Sequence, residues 1–117
     1  MIKLQRNLVH VDDMRKSPRI DFHLQVTIIG MNIQARILDF SLTGFYIQVD
    51  CTEHLWDGQL LKLALRFPTE RNSIVVKARI VRTGKHGFGC EFLSLDPAMQ
   101  ELLERNFDIF KNTMPIQ

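Results

Sequence analysis

The sequence contains few of the residues that mark specialised classes of protein. Its 117 residues include two cysteines, and these lack the CxxC spacing of redox or metal sites. Two cysteines cannot form a multi-bridge scaffold, so we expect a reduced, cytoplasmic protein in which Cys51 and Cys90 are packing residues. The four histidines are scattered without metal-ligand spacing, which indicates neither a metal site nor a cofactor. No nucleophile–base pattern is recognisable, and we expect no enzyme.

Long apolar runs are also absent. Lys3, Gln5, Arg6 and Asn7 interrupt the first ten residues, so this segment has no apolar core of a signal peptide. No stretch approaches the roughly 18 uninterrupted apolar residues of a membrane helix. We therefore expect no membrane insertion.

A charge excess of either sign is the third absence. Fifteen basic residues stand against thirteen acidic ones, a net charge of +2. That balance excludes an extended basic face for a long nucleic acid, but a local basic cluster can exist inside a balanced total. A small anionic ligand is compatible with this composition.

Alternation of apolar and polar residues dominates the middle of the chain and predicts six short strands. The length predicts one domain, which we divide into an N-terminal arm over residues 1–21, a β-barrel over residues 22–95, and a C-terminal helix and tail over residues 96–117. The predicted strands are Phe22–Ile28, Ile33–Ile37, Phe45–Val49, Leu61–Phe67, Ile74–Val81 and Phe88–Phe92. Trp56 lies in the polar loop 51–58, where we expect it to pack.

The end of the chain changes to a helical pattern. Asp96 followed by Pro97 is typical of a helix N-cap with proline at the first helical position. Met99, Leu103 and Phe107 then recur near helical spacing, which predicts one amphipathic helix to about Lys111. Six antiparallel strands of this length can close into a small barrel, and the helix would cover an open end or face. The predicted fold is therefore mainly β.

Two short patterns carry the functional signal. Arg15 and Arg19 form an RxxxR spacing just before the first predicted strand, and Asp39, Ser41 and Gly44 form a DxSxxG pattern between the second and third strands. In a chain of this composition about 0.7 chance RxxxR pairs are expected, but only about 0.02 chance matches to [DN]xSxxG. The second pattern is therefore the informative one.

With these motifs in this order, residues 14–111 resemble the PilZ domain family. The segment Gly87-Phe88-Gly89-Cys90-Glu91-Phe92 is similar to the family's sixth strand. The resemblance implies a six-stranded antiparallel β-barrel with a C-terminal α-helix that binds the bacterial second messenger cyclic di-GMP. It also implies that Arg15, Arg19, Asp39, Ser41 and Gly44 bind this ligand.

Side-chain chemistry agrees with the implied roles. The arginine guanidinium fits guanine O6/N7 or phosphate oxygens bidentately and can stack on a purine. An ionised Asp39 can only accept hydrogen bonds, which suits the guanine N1–H and N2–H donors. Ser41 can bond a phosphate, a base edge or the loop backbone. Gly44 is expected where the chain needs φ > 0 or a close backbone approach.

One position departs from the family pattern. Many members carry a further arginine immediately before the first motif arginine, and here that residue is Met14. Methionine supplies neither a stacking plane nor a charge for a second ligand molecule, although Lys16 could partly replace the charge. We expect one bound molecule, with two left open.

These observations predict a non-enzymatic cyclic di-GMP receptor that orders its N-terminal arm on the barrel when ligand binds. A chain of this length has no output domain of its own, so we expect it to signal to a partner protein. One alternative is a PilZ-like interaction module that binds no nucleotide. A second is a small-barrel single-stranded nucleic-acid binder, which would need exposed aromatic side chains on a basic face. Tyr46 is the one aromatic residue that the pattern clearly places on the outward side of a strand.

Overall fold

The computed structural model describes residues 9–10, 19–31 and 33–113, with side chains described for 22–31 and 33–112. Over these described residues, seven strands precede one helix, α1 (Pro97–Thr113). The strands are β1 (Val9–His10), β2 (Arg19–Ile28), β3 (Ile33–Phe40), β4 (Gly44–Gln48), β5 (Leu60–Leu65), β6 (Ile74–Thr83) and β7 (Gly87–Phe92).

Strands β2 to β7 form a closed antiparallel barrel. Their order is β2-β3-β4-β7-β6-β5, and β5 returns to pair with β2 through Thr27↔Ala64 and Ile28↔Leu63. This closing pair gives each of the six strands a neighbour on both sides. The prediction of a six-stranded antiparallel barrel with a C-terminal helix is confirmed.

The start of the barrel differs from the sequence prediction. Strand β2 begins at Arg19, three residues before the predicted start at Phe22. Within the predicted arm, Val9 and His10 form the short strand β1, which pairs with Ile20 and Arg19 of β2. Two residues are too few to show periodicity, so the sequence pattern could not reveal β1.

The core is the inner face of the barrel, filled by every second residue of the strands. An aromatic cluster closes one end, where Phe110 of α1 lies 4.8 Å from Phe22, and Phe107 lies 5.6 Å from Phe40, measured between ring centroids. Phe67 lies 5.4 Å from Phe40 and completes the cluster. The helix therefore covers one end of the barrel with its apolar side.

Two polar features fix the helix. The Oδ1 atom of Asp96 accepts a hydrogen bond from Met99 N at 2.7 Å, as expected of the N-cap. Further along, Glu70 of the β5–β6 loop accepts hydrogen bonds from the fully buried Asn106 at 2.9 Å and from Arg105 at 3.0 Å. These two bonds hold the pKa of the Glu70 carboxyl below its usual value of 4.5. The helix is thus fastened to the loop as well as to the core.

Candidate functional site

Two register shifts position Asp39 at the end of β3. Asp39 pairs with Asp21 of β2 on one side and with Tyr46 of β4 on the other, and both ladders are irregular beside it. Leu38 is the extra residue in the ladder with β4, because Ile37 pairs with Ile47 and Asp39 already pairs with Tyr46. The shift lets Phe40 point into the core after Ile37, and it leaves Asp39 half-buried on the outer side.

The hydroxyl of Ser41 is used by the turn that connects β3 to β4. Its Oγ accepts hydrogen bonds from the backbone N–H groups of Thr43 and Gly44, each at 3.2 Å. The Ser41 backbone N–H donates to the Gly44 carbonyl oxygen at 3.0 Å. The Ser41 residue is only 5% exposed. Of the three partners considered for this hydroxyl, the structure shows the loop backbone.

Gly44 is required by a close backbone approach. A Cβ atom at this position would overlap the carbonyl oxygen of Cys90, on the neighbouring strand β7. The left-handed φ values among the described glycines occur at Gly30 and Gly58 instead. Of the two reasons expected for Gly44, the structure therefore shows close approach.

A groove of about 500 Å³ runs over the outer side of β4, β7 and β6 next to this turn. Ser41 and Gly44 form one end of its lining. The register continues across the barrel from Asp39 to Tyr46, from Tyr46 to Gly89, and from Gly89 to Arg82. Four adjacent strands thus contribute one row of residues at the level of Asp39, and its last three members line the groove.

Glycines give the groove its depth. A Cβ atom on Gly89 would have no heavy atom within 4 Å, so the backbone of β7 is open at this point. Gly87, two residues earlier, is covered by Tyr46, whose hydroxyl oxygen lies 2.6 Å from where a Cβ of Gly87 would stand. The tyrosine ring therefore leans over one glycine and leaves the other open. A flat ligand could approach the backbone at Gly89.

Arg82 is exposed and lines the groove. Simple alternation after the buried Ile80 would turn Arg82 inward. A bulge at Val81 reverses this, because Ile80 pairs with Cys90 while Arg82 already pairs with Gly89. Among the described residues Arg82 has no ion-pair partner. Periodicity alone contains no signal of this bulge.

The two cysteines behave differently from each other. Both are free; Cys90 is buried on the inner face of β7, whereas Cys51 is exposed. Burial raises the pKa of the Cys90 thiol to about 12, so it is protonated at neutral pH and unsuited to nucleophilic chemistry. The prediction that both cysteines pack is right for Cys90 and wrong for Cys51.

Trp56 is 60% exposed, so the expectation that it packs is wrong. Its loop is held instead by the backbone, with Gln59 N donating to the Trp56 carbonyl at 3.1 Å. No group of three or more metal-ligating side chains occurs within the part of the chain that the structure describes. In the same part, no helix has the length and apolar character needed to cross a membrane.

The structure brings part of the predicted site together. Asp39 lies near the end of β3, and Ser41 and Gly44 follow on the turn into β4. The backbone of Arg19 begins β2 directly before Ile20, whose register partner is Phe40. The side chain of Arg19 is not among the described ones, and Arg15 lies outside the described residues, as do Met14 and Lys16. The second motif and the last residue of the first motif are therefore adjacent in the fold.

Comparison with known proteins identifies the class first. A closed six-stranded antiparallel barrel with one C-terminal helix is also the fold of solved PilZ-domain structures. The family model described as "PilZ domain" matches residues 13–107 of this chain. The chain belongs to the PilZ domain family. The search of curated proteins found no match.

Three solved structures show the same fold. The Bacillus subtilis inhibitor of motility MotI/DgrA is similar with a TM-score of 0.68 and 21% identity over 86% of this chain, which spans about half (53%) of that protein. The PilZ domain of Escherichia coli YcgR with cyclic di-GMP gives a TM-score of 0.68 and 15% identity, covering 84% of this chain and 92% of that one. The PilZ domain of CeSA, from a cellulose-synthesizing bacterium, gives a TM-score of 0.64 and 16% identity, covering 78% of this chain and 96% of that one.

Proposed function

We propose that this chain is a non-enzymatic receptor for cyclic di-GMP, which binds in the groove beside the β3–β4 turn. The observation that carries the proposal is the position of the groove. It runs from Ser41 and Gly44 of one motif, next to the point where Arg19 of the other motif enters the barrel. The YcgR PilZ domain, which shares the fold, was solved with cyclic di-GMP.

The groove offers suitable contacts for a flat, dianionic ligand. Asp39 is half-buried at the end of the row and can accept hydrogen bonds from a guanine Watson–Crick edge. The open backbone at Gly89 gives a purine ring room to lie close to β7. Arg82, which has no ion-pair partner among the described residues, supplies positive charge to a phosphate at the other end of the row.

Arg15 and Arg19 supply the remaining contacts in this proposal. Each guanidinium can bind guanine O6/N7 or a phosphate bidentately, and a good bidentate contact to guanine is worth roughly 1–3 kcal/mol. A ligand held by these arginines and by Asp39 connects the segment before β2 to the barrel. Ligand binding would thereby order the N-terminal arm, and a partner protein would read the combined surface. With Met14 in place of a third consecutive basic side chain, we propose one ligand molecule per chain.

The cellular location is proposed from the two cysteines. Both cysteines are free thiols, which suits a reducing compartment. We therefore place the receptor in the bacterial cytoplasm.

Calorimetric titration with cyclic di-GMP tests the proposal most directly. We expect saturable binding at micromolar ligand, and we expect Arg19→Ala to lose roughly 5- to 150-fold in affinity, the equivalent of one bidentate contact. Arg71→Ala removes an exposed arginine from the β5–β6 loop and is the matched control, with unchanged affinity. The melting temperature of the ligand-free Arg19→Ala variant should stay close to that of the parent chain.

Two outcomes would reject the proposal. An absence of heat with the parent chain would support the alternative of an interaction module without nucleotide binding. One observation favours that alternative: Ser41 and Gly44 are both explained by the turn and its packing without a ligand. Tighter binding of a short single-stranded RNA than of cyclic di-GMP would instead support the nucleic-acid binder, for which the exposed Trp56 offers a stacking surface.

A further inference from the structure

A second groove, of about 420 Å³, lies on the outer face of β5 and β6 and is lined mainly by aliphatic side chains. Ile29, Met31, Leu60 and Leu93 contribute to its lining. Leu60 is 69% exposed, and Val75 on the same outer face is 50% exposed. An apolar groove bordered by exposed aliphatic and charged side chains is the kind of surface that marks an interaction site.

Two lysines lie directly opposite each other in the middle of this face. Lys62 of β5 and Lys77 of β6 are register partners, both are exposed, and both line the groove. Like charges placed directly opposite on neighbouring strands destabilise a sheet. Among the described residues neither lysine has an ion-pair partner. The pair therefore adds positive charge to an apolar surface without helping the fold.

The neighbouring position along β6 shows the contrast. Arg79, two residues after Lys77, pairs with Glu91 of β7 in a salt bridge. Glu91 also lines the groove beside the β3–β4 turn, so this ion pair separates the two grooves. Lys62 and Lys77 are thus the charged residues in the lining of the second groove, next to Leu60 and Val75.

We propose that this face, defined by Leu60, Lys62, Val75 and Lys77, is the docking site for an acidic amphipathic helix of a partner protein. Charge complementarity selects carboxylates to lie over the lysine pair, and the aliphatic groove receives an apolar side-chain row. The outer positions from Val75 to Arg79, the register partner of Leu60, extend over about 13 Å, the length of about two and a half helical turns.

Two other occupants fit the surface less well. An added strand has no edge to join, because β5 pairs with β2 and β6, and β6 pairs with β5 and β7. A second copy of this chain would have to present its own helix, but the apolar side of α1 is buried against the barrel through Leu103, Phe107 and Phe110. A helix of a separate protein needs no free strand edge, and its apolar side can be accessible. The proposal does not depend on nucleotide binding.

The test uses the full chain and two synthetic helical peptides of about four turns. One peptide carries leucine on one side flanked by glutamate, and the other has lysine in place of every glutamate. We expect the acidic peptide to bind and to shift the NMR amide signals of residues 60–62 and 75–77, while the basic peptide does not. The double variant Lys62→Glu/Lys77→Glu should lose at least about tenfold in affinity for the acidic peptide. Arg71→Glu, a charge reversal on the loop after β5, is the matched control and should bind normally.

Four results would overturn the proposal. Equal binding of both peptides, or shifts centred elsewhere on the barrel, would remove the assigned site. Stronger binding to phosphatidylglycerol vesicles than to the acidic peptide would show a lipid surface as the occupant. Sedimentation of the free chain as a dimer that Leu60→Ser dissociates would show a second copy on this face. In each of these cases we expect Lys62→Glu/Lys77→Glu to bind cyclic di-GMP normally. The docking proposal and the cyclic di-GMP proposal can therefore fail separately.

Discussion

The two grooves share strand β6 but are built from opposite kinds of residues. Beside the β3–β4 turn, the lining includes three glycines and the polar or charged residues Ser41, Thr43, Arg82 and Glu91, together with Tyr46, Val81 and Cys90. On the outer face of β5 and β6, aliphatic side chains and the pair Lys62 and Lys77 line the second groove. The first groove owes its depth to glycines, which carry no side chain, and the second groove is bounded by exposed side chains.

The two grooves differ in how strongly the fold depends on their residues. Gly44 cannot carry a side chain without overlapping the β7 backbone, so the first groove is formed by the packing of the barrel itself. Leu60 and Lys62 point into solvent and could be replaced without disturbing the core. A substitution at Gly44 should therefore cost stability, whereas a substitution at Leu60 or Lys62 should change mainly binding or surface charge.

Gly44→Ala should give the largest change in the free energy of unfolding. The added methyl group must displace the backbone at Cys90, and we expect a loss of about 3 kcal/mol or more in the free energy of unfolding. Urea denaturation followed by circular dichroism measures it. A loss below about 1 kcal/mol would show that the turn can move away from β7, and that the two grooves do not differ in rigidity.

Gly89→Ala is the matched substitution inside the same groove and should separate ligand binding from stability. Its methyl group enters open space, so we expect the unfolding free energy to stay within about 1 kcal/mol of the parent value. The methyl group occupies the surface that the purine would approach, and cyclic di-GMP affinity should fall about tenfold or more by calorimetry. Unchanged affinity would place the ligand away from Gly89.

Lys62→Glu should give the smallest change in the free energy of unfolding, and this change should be an increase. The substitution puts a carboxylate opposite Lys77 in place of a like charge, which should stabilise the barrel by roughly 0.2–1 kcal/mol. The gain should shrink at high salt, because exposed charges are screened. Arg71→Glu serves as the control in the same denaturation experiment, and a similar gain there would point to net charge rather than to the lysine pair.

Much of the fold was predictable because half-buried strands alternate with a period of two. Each of the six predicted strands corresponds to an observed one, and the helix begins at Pro97 as its N-cap pattern indicated. Closure between β2 and β5 depends on side chains far apart in sequence, and the pattern contains no register for it. The bulges at Leu38 and Val81 were also invisible, since one extra residue on one strand has meaning only relative to its neighbour.

The candidate site was predictable in part for the same reason. Asp39, Ser41 and Gly44 lie close enough in the sequence to form a recognisable pattern. The structure places Ser41 and Gly44 in the groove lining and Asp39 near the end of the preceding strand β3. Gly89 and Arg82 belong to the groove through strand pairing and a bulge, which a linear pattern does not contain. The roles of Arg15 and Arg19 remain predictions that Arg19→Ala tests.

The hydrogen bonds of Ser41 and the packing of Gly44 change how this motif should be used as a diagnostic. Any barrel with this turn needs a hydroxyl to bind the Thr43 and Gly44 N–H groups and a residue without Cβ beneath Cys90, whatever it binds. The serine and glycine therefore report the shape of the turn. Arginines at positions 15 and 19, which precede this turn in the sequence, are the residues that should distinguish a nucleotide receptor from a barrel of the same shape that binds none.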